Sequence, residues 1–345
     1  MPEASIARFT LADPIHGEVP CVEVRPAAGA SLNAGELPTC VYLYGGSGSA
    51  ETLAGLAPWL AECWSEGRLP ACRVVTPDVG PFSFYLDDPA RGQGWESFIV
   101  QRLLPAVISN GQRVGMLGTS MGGYGALKIA FAHSDRVAAV GASSPMLEPS
   151  WDAAQTTPRN RFHYPAAVPQ ALLGAQRDVA LYAADHPARR ACAHRAAIRA
   201  NDLAISFDAG STDALNAHDG AEFLHRVLWE LDLRHQYNLL RDADHVGPTL
   251  LPRLEAAFAW VLGFLQAPSA TRLTEVEDAW SHWLDAGAFT AGPPPSTPLP
   301  PISPVMPRVL RALLAPQRAA ATSLDAQLER TYGRLPPAEP PPSAR

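Results

Sequence analysis

Short, continuously apolar runs alternate with segments of helical period along most of the chain. Residues 39–44 (TCVYLY), 72–76, 114–117, 137–142 and 203–207 lack a polar alternation, which is how strands covered on both faces read. Between them, 51–66 carries Leu53, Leu56, Leu60 and Trp64 at helical spacing, and 95–108 and 122–132 repeat the pattern. A helix at 221–231, a strand at 235–241 and a helix at 250–265 follow. Parallel neighbours need crossover connections, so the alternation predicts an α/β fold: a mostly parallel sheet flanked by helices. Two half-alternating runs, 8–12 and 19–25, predict an opening hairpin.

The rhythm breaks twice. Residues 143–200 are rich in Pro, Ala and Arg and too long for an ordinary loop, which predicts a mostly helical cap inserted over one end of the sheet. Past Gln266 the composition changes again. A helix at 274–284 opens with the capping-box spacing Thr274 to Glu277 and carries Trp280 and Trp283. The stretch AGPPPSTPLPPISPVMP then reads as a polyproline-like linker, 309–332 as a last helix, and LPPAEPPPSAR as a disordered end. The expected organisation is a catalytic-size domain over 1–266 and a helical, proline-rich extension over 267–345. The apolar positions of 309–328 make that extension a candidate surface for homo-oligomer formation.

Composition narrows the partners. The formal net charge of the 345 residues is -7 with Lys and Arg scattered, so no electrostatic footprint for nucleic acid or an acidic membrane surface exists. No run of eighteen apolar residues and no basic, apolar leader is present, and the expectation is a cytoplasmic protein acting on a small molecule. Five cysteines without a C-x-x-C pair fit neither a disulfide framework nor a zinc site, so neither metal nor cofactor is expected.

The chemistry gathers around Gly118-Thr119-Ser120-Met121-Gly122, a G-x-S-x-G match. Such a match arises by chance in about one chain of this length in eight, so its context carries the weight. An apolar strand ends at Leu117 and a helix begins at Gly122, a turn that lifts a serine above the carboxyl edge of the sheet. Serine needs a base, and the base an orienting carboxylate, in the chain order Ser, Asp/Glu, His. Asp213, in the loop after the strand 203–207, has the reach to meet a histidine, whereas Asp208 directly ends that strand and reads as a turn residue. Among ten histidines, His245 lies in the loop between the last strand and the last helix. Oxyanion donors are expected from the Met121 N–H and from Gly46 in the GGSGS loop; the lysine of a phosphate-binding loop is missing there. Arg189, Arg190, Arg195 and Arg199 read as a solvated helix face, with reception of a substrate carboxylate as the alternative.

These motifs resemble the α/β-hydrolase superfamily and, more narrowly, the esterase D-like esterases. The family's G.SMGGYGAL is matched at 118–127, its HG.GG loop at 44–48, its D.G..D.L acid strand at 208–215 and its G.H loop at 243–245. Tyr44 stands where many members carry His, and Ala243 where Gly is usual. The resemblance spans about 5–266 and implies a Ser120, Asp213, His245 triad with Gly46 and Met121 donating to the oxyanion. It implies hydrolysis of a small carboxylic ester or thioester through an acyl-enzyme. An acyltransferase using the same intermediate is the alternative, and a silent binding scaffold a more distant one.

Overall fold

The computed structural model describes residues 3–27, 37–108, 112–150, 158, 179–265, 275–288, 292–299 and 303–320. Its contacts divide into two compact units, one running through Gln266 and one from Ala267 to Leu335.

The larger unit is built on an eight-stranded sheet. Its strands are β1 (Ala4–Asp13), β2 (Gly17–Pro26), β3 (Thr39–Leu43), β4 (Arg73–Pro77), β5 (Val114–Thr119), β6 (Val137–Ser143), β7 (Ala204–Gly210) and β8 (Gln236–Leu240), in the order β1-β2-β4-β3-β5-β6-β7-β8. The opening hairpin is antiparallel and β2 joins β4 antiparallel; from β4 to β8 every pairing is parallel. All six residues of β5 are buried, as its unbroken apolar run predicts for a central strand.

Among the described residues of this unit are helices α1 (Glu51–Ser65), α2 (95–107), α3 (Met121–Ala132), α4 (Val179–Asp185), α5 (Pro187–Ala200), α6 (Ala217–Glu230) and α7 (Leu250–Leu265). A π-helical turn at Ile99–Leu103 interrupts α2. Helices α1 and α7 meet over one face, where Trp59 and Phe258 bring their ring centroids to 6.1 Å. On the other, α3 lies on β3, β5 and β6, and α5 packs between α3 and α6. Of the interval read as a cap, 179–200 is helical and its longer helix belongs to this layer; 151–157 and 159–178 lie outside the described residues.

In the smaller unit, α8 (Glu275–Asp285) and α9 (Met306–Ala320) enclose a core of Trp280, Trp283, Leu299, Val305 and Val309. The proline-rich stretch is more than a linker. Its carbonyls receive the two indoles, Trp280 Nε1 donating to Thr297 O at 2.8 Å and Trp283 Nε1 to Gly292 O at 3.0 Å. A polyproline segment leaves its carbonyls unpaired, which makes it a natural partner for buried indole N–H groups. Residues 321–345, including the rest of the expected last helix and the tail, lie outside the described residues. No helix among the described residues is long and apolar enough to cross a membrane.

Candidate active site

Ser120 occupies the turn from β5 into α3 with φ +56°, a left-handed conformation that a side-chain-bearing residue adopts at a cost of about 1–3 kcal/mol. The two motif glycines make this turn possible. A Cβ on Gly118 would stand 2.0 Å from the Gly122 carbonyl oxygen, and one on Gly122 would stand 1.8 Å from the Leu43 carbonyl oxygen. The end of β6 and the residues after it tie the elbow down: Ser120 N–H donates to Ser143 O at 2.9 Å and Ser120 O accepts from Met146 N–H at 3.1 Å, while Tyr124 N–H closes the first turn of α3 on the same oxygen at 3.1 Å.

Three side chains far apart in sequence converge here. His245 Nε2 lies 2.8 Å from Ser120 Oγ, and His245 Nδ1 lies 2.8 Å from Asp213 Oδ2. A carboxylate only accepts, so Nδ1 carries the proton and Nε2 presents its lone pair to the serine hydroxyl. Burial pushes the Asp213 carboxyl up, but the hydrogen bond from His245, the Leu215 N–H and the Ser144 hydroxyl together outweigh it and hold the group below its ordinary range. Asp213 is therefore ionised where it faces the imidazole.

The loop 44–48 runs beside the serine: a Cβ on Gly45 would come within 3.3 Å of Ser120 Cβ. Among the described residues no hydrogen bond engages the N–H of Gly46 or of Met121, the first residue of α3. Both donors remain available for a ligand, and the helix N-terminus favours negative charge at that point. Tyr44 anchors the loop. Its hydroxyl accepts from Val79 N–H at 2.7 Å and lies 3.2 Å from Gly80 O; its carbonyl receives the Tyr85 hydroxyl at 3.0 Å; and Ser47 N–H reaches Pro81 O at 2.8 Å. Tyrosine in place of the family's histidine thus fastens the glycine loop to 79–85.

Asp208, the strand-end residue, is not beside the imidazole. It accepts from Arg253 Nε at 2.8 Å and from the Ser143 hydroxyl at 3.2 Å. Burial raises its carboxyl and the Arg253 guanidinium opposes the rise. Arg253 is a buried cation on the otherwise apolar inner face of α7, and nothing in the sequence pattern named its partners. Of the arginines 189–199, Arg190 meets Glu96 and Asp185, Arg195 donates to Leu231 O at 3.0 Å and Arg199 faces Asp232, so these three are spent within the fold. Among the described residues no group of three or more His, Cys, Asp or Glu is disposed to hold a metal ion.

Comparison with known proteins places the chain. The family model described as "Putative esterase" matches residues 30–248. The chain belongs to this esterase family. No curated protein matches it by sequence. Solved structures share its fold: a ferulic acid esterase (18% identity, TM-score 0.60) covers 77% of this chain and 100% of its own. An S-formylglutathione hydrolase from Agrobacterium tumefaciens (19%, TM-score 0.56) covers 77% of this chain and 97% of its own. The fluorophosphonate-binding serine hydrolase FphF from Staphylococcus aureus (17%, TM-score 0.55) covers 77% and 100%. The esterase has the α/β-hydrolase fold and is a carboxylic ester hydrolase.

Proposed function

We propose that the protein cleaves a small carboxylic ester or thioester through an acyl-enzyme, with Ser120 as nucleophile, His245 as general base and then acid, and Asp213 as the carboxylate that orients the imidazole. The observation that carries this reading is the unbroken line from Ser120 Oγ to His245 Nε2 to Asp213, with 2.8 Å at each link. His245 Nε2 takes the hydroxyl proton as Oγ attacks the acyl carbon, and the buried carboxylate of Asp213 stabilises the imidazolium that forms. The carbonyl oxygen becomes an oxyanion, received by the N–H groups of Gly46 and Met121; each such donor is worth roughly 3 kcal/mol of barrier. Collapse expels the alcohol or thiol, which leaves with the proton from Nε2. Water then repeats the sequence on the acyl-enzyme, releasing the acid and restoring Ser120.

The test is pre-steady-state kinetics with a p-nitrophenyl ester. Wild-type protein is expected to release a burst of one p-nitrophenolate per chain, and Ser120→Ala to lose the burst and at least about a thousandfold in kcat. Wild-type turnover in Ser120→Ala would rule the mechanism out.

A further inference from the structure

Arg253 sits on α7, only 4% exposed, and its three nitrogens reach three different parts of the chain. Nε donates to Asp208 Oδ1 at 2.8 Å, at the end of β7. Nη1 donates to the carbonyl oxygen of Asp244 at 2.8 Å, the residue immediately before His245. Nη2 donates to the Ser144 hydroxyl at 2.6 Å, just past the end of β6, and also to Asp208 Oδ1 at 2.5 Å. Ser144 is itself held in the left-handed region, φ +41°, with its N–H on Asp208 O at 2.9 Å. With its oxygen already accepting from Arg253, the Ser144 hydroxyl has its proton free to donate, and it is one of the groups that act on Asp213.

A guanidinium is a rigid planar fork, so groups bonded to its separate nitrogens are fixed relative to one another. Here Nη1 holds the backbone of the histidine loop, while Nη2 holds both the Ser144 hydroxyl and Asp208. Asp208 neutralises the fork's charge in the interior, a role that a buried arginine requires. An ordinary buried ion pair would need only Asp208; the bonds to Asp244 and Ser144 lead to both partners in the His245–Asp213 link.

We propose that Arg253 is a positioning residue for the reaction: it sets the distance and angle between His245 and Asp213 by clamping the Asp244 carbonyl and the Ser144 hydroxyl. The proposal rests on the triad reading above, because it assigns Arg253 its effect through that imidazole and carboxylate. Arg253 touches neither the serine nor a substrate. Its loss therefore acts on kcat, and leaves ground-state binding alone.

Arg253→Met alone would strand the Asp208 charge in the interior and endanger folding, so two other variants carry the test. Arg253→Met combined with Asp208→Asn removes both charges and keeps the volume. Arg253→Lys keeps the charge pair, but a single ammonium cannot span three separated groups. Steady-state kinetics with a p-nitrophenyl ester, on protein that still melts cooperatively, is expected to give a kcat about tenfold to a hundredfold below wild type in both variants, with KM within about twofold. The second-order rate of Ser120 labelling by a fluorophosphonate should fall by a similar factor. Wild-type kcat in either variant, or a loss carried by KM, overturns the proposal. Ser120→Ala run alongside separates the two readings: if it is inactive while Arg253→Lys turns over normally, only the role of Arg253 falls; if it retains turnover, the triad itself falls.

Discussion

At the scale of single residues, the proposed active centre depends on which of two nearby aspartates faces the imidazole. Asp208 and Asp213 are five positions apart, yet Asp208 is engaged by Arg253 and Asp213 by His245. Their surroundings pull their carboxyl groups in opposite directions, up at Asp208 and down at Asp213, because a buried acid ionises readily only where donors outweigh the loss of water. Asp213→Asn keeps the size of the side chain but gives the imidazole no anion to lean on and favours the wrong tautomer. Its expected effect is a fall in kcat on the order of ten-thousandfold, with the protein remaining folded; steady-state assay and circular dichroism together check this. Retention of more than about a tenth of wild-type kcat would show that another carboxylate orients His245.

At the scale of elements, α3 has to be held firmly because the elbow serine stands at its head. Lys128, wholly buried on α3, meets Asp185 at the end of α4 at 2.6 Å and Glu96 on α2 at 3.2 Å, while Tyr124 OH, one turn earlier, donates to Asp185 at 2.8 Å. The join between α4 and α5 is made by His186, whose ring is completely enclosed. Its Nδ1 accepts from Ala188 N–H at 3.1 Å and its Nε2 lies 3.0 Å from Glu148 O, so the neutral tautomer with the proton on Nε2 satisfies both. Burial lowers the imidazole from 6.5 to about 4, with the Glu148 carbonyl opposing. Above pH 6.5 the ring is neutral whether the chain is folded or not. As pH falls from there toward 4 only the unfolded chain takes up a proton, and stability is lost across that window, on the order of 2 kcal/mol by pH 4.5. Urea denaturation at pH 7 and pH 4.5 should find that His186→Gln loses less stability than wild type by about this amount. Equal losses would mean that His186 is not neutral in the native state.

At the scale of the whole molecule, every group assigned to the reaction comes from residues 44–253, inside the unit that ends at Gln266. The unit beyond it owns a separate core around Trp280 and Trp283, whose rings meet edge to face with centroids 5.5 Å apart. A chain truncated after Gln266 is therefore expected to remain folded and to keep kcat/KM for a p-nitrophenyl ester within about threefold of the full chain. A tenfold or larger loss in a cooperatively melting truncation would show that the C-terminal unit serves the reaction.

The order of strands and helices was legible along the chain because local period reports burial: continuous apolar runs gave β3, β4 and β5, and amphipathic spacing gave α1 and α7. The elbow could be read too, since its glycines are demanded by contacts within a few residues and with the next strand, and the family motif names Ser120, Asp213 and His245 together. Other features had no local signature. Arg253 reads in sequence as one of two charges, with Glu255, in a largely apolar helix; only folding brings β6, β7 and the histidine loop to its fork. Tyr44 and the carbonyls of the proline-rich stretch likewise acquire their partners through distant chain, which no period or spacing encodes. What the sequence determined by itself was the set of elements and the strained turn that carries Ser120, because those follow from short-range sterics and the pattern of burial. What only the tertiary structure decided was which buried polar groups satisfy one another, because that depends on through-space geometry between segments that the chain order leaves unrelated.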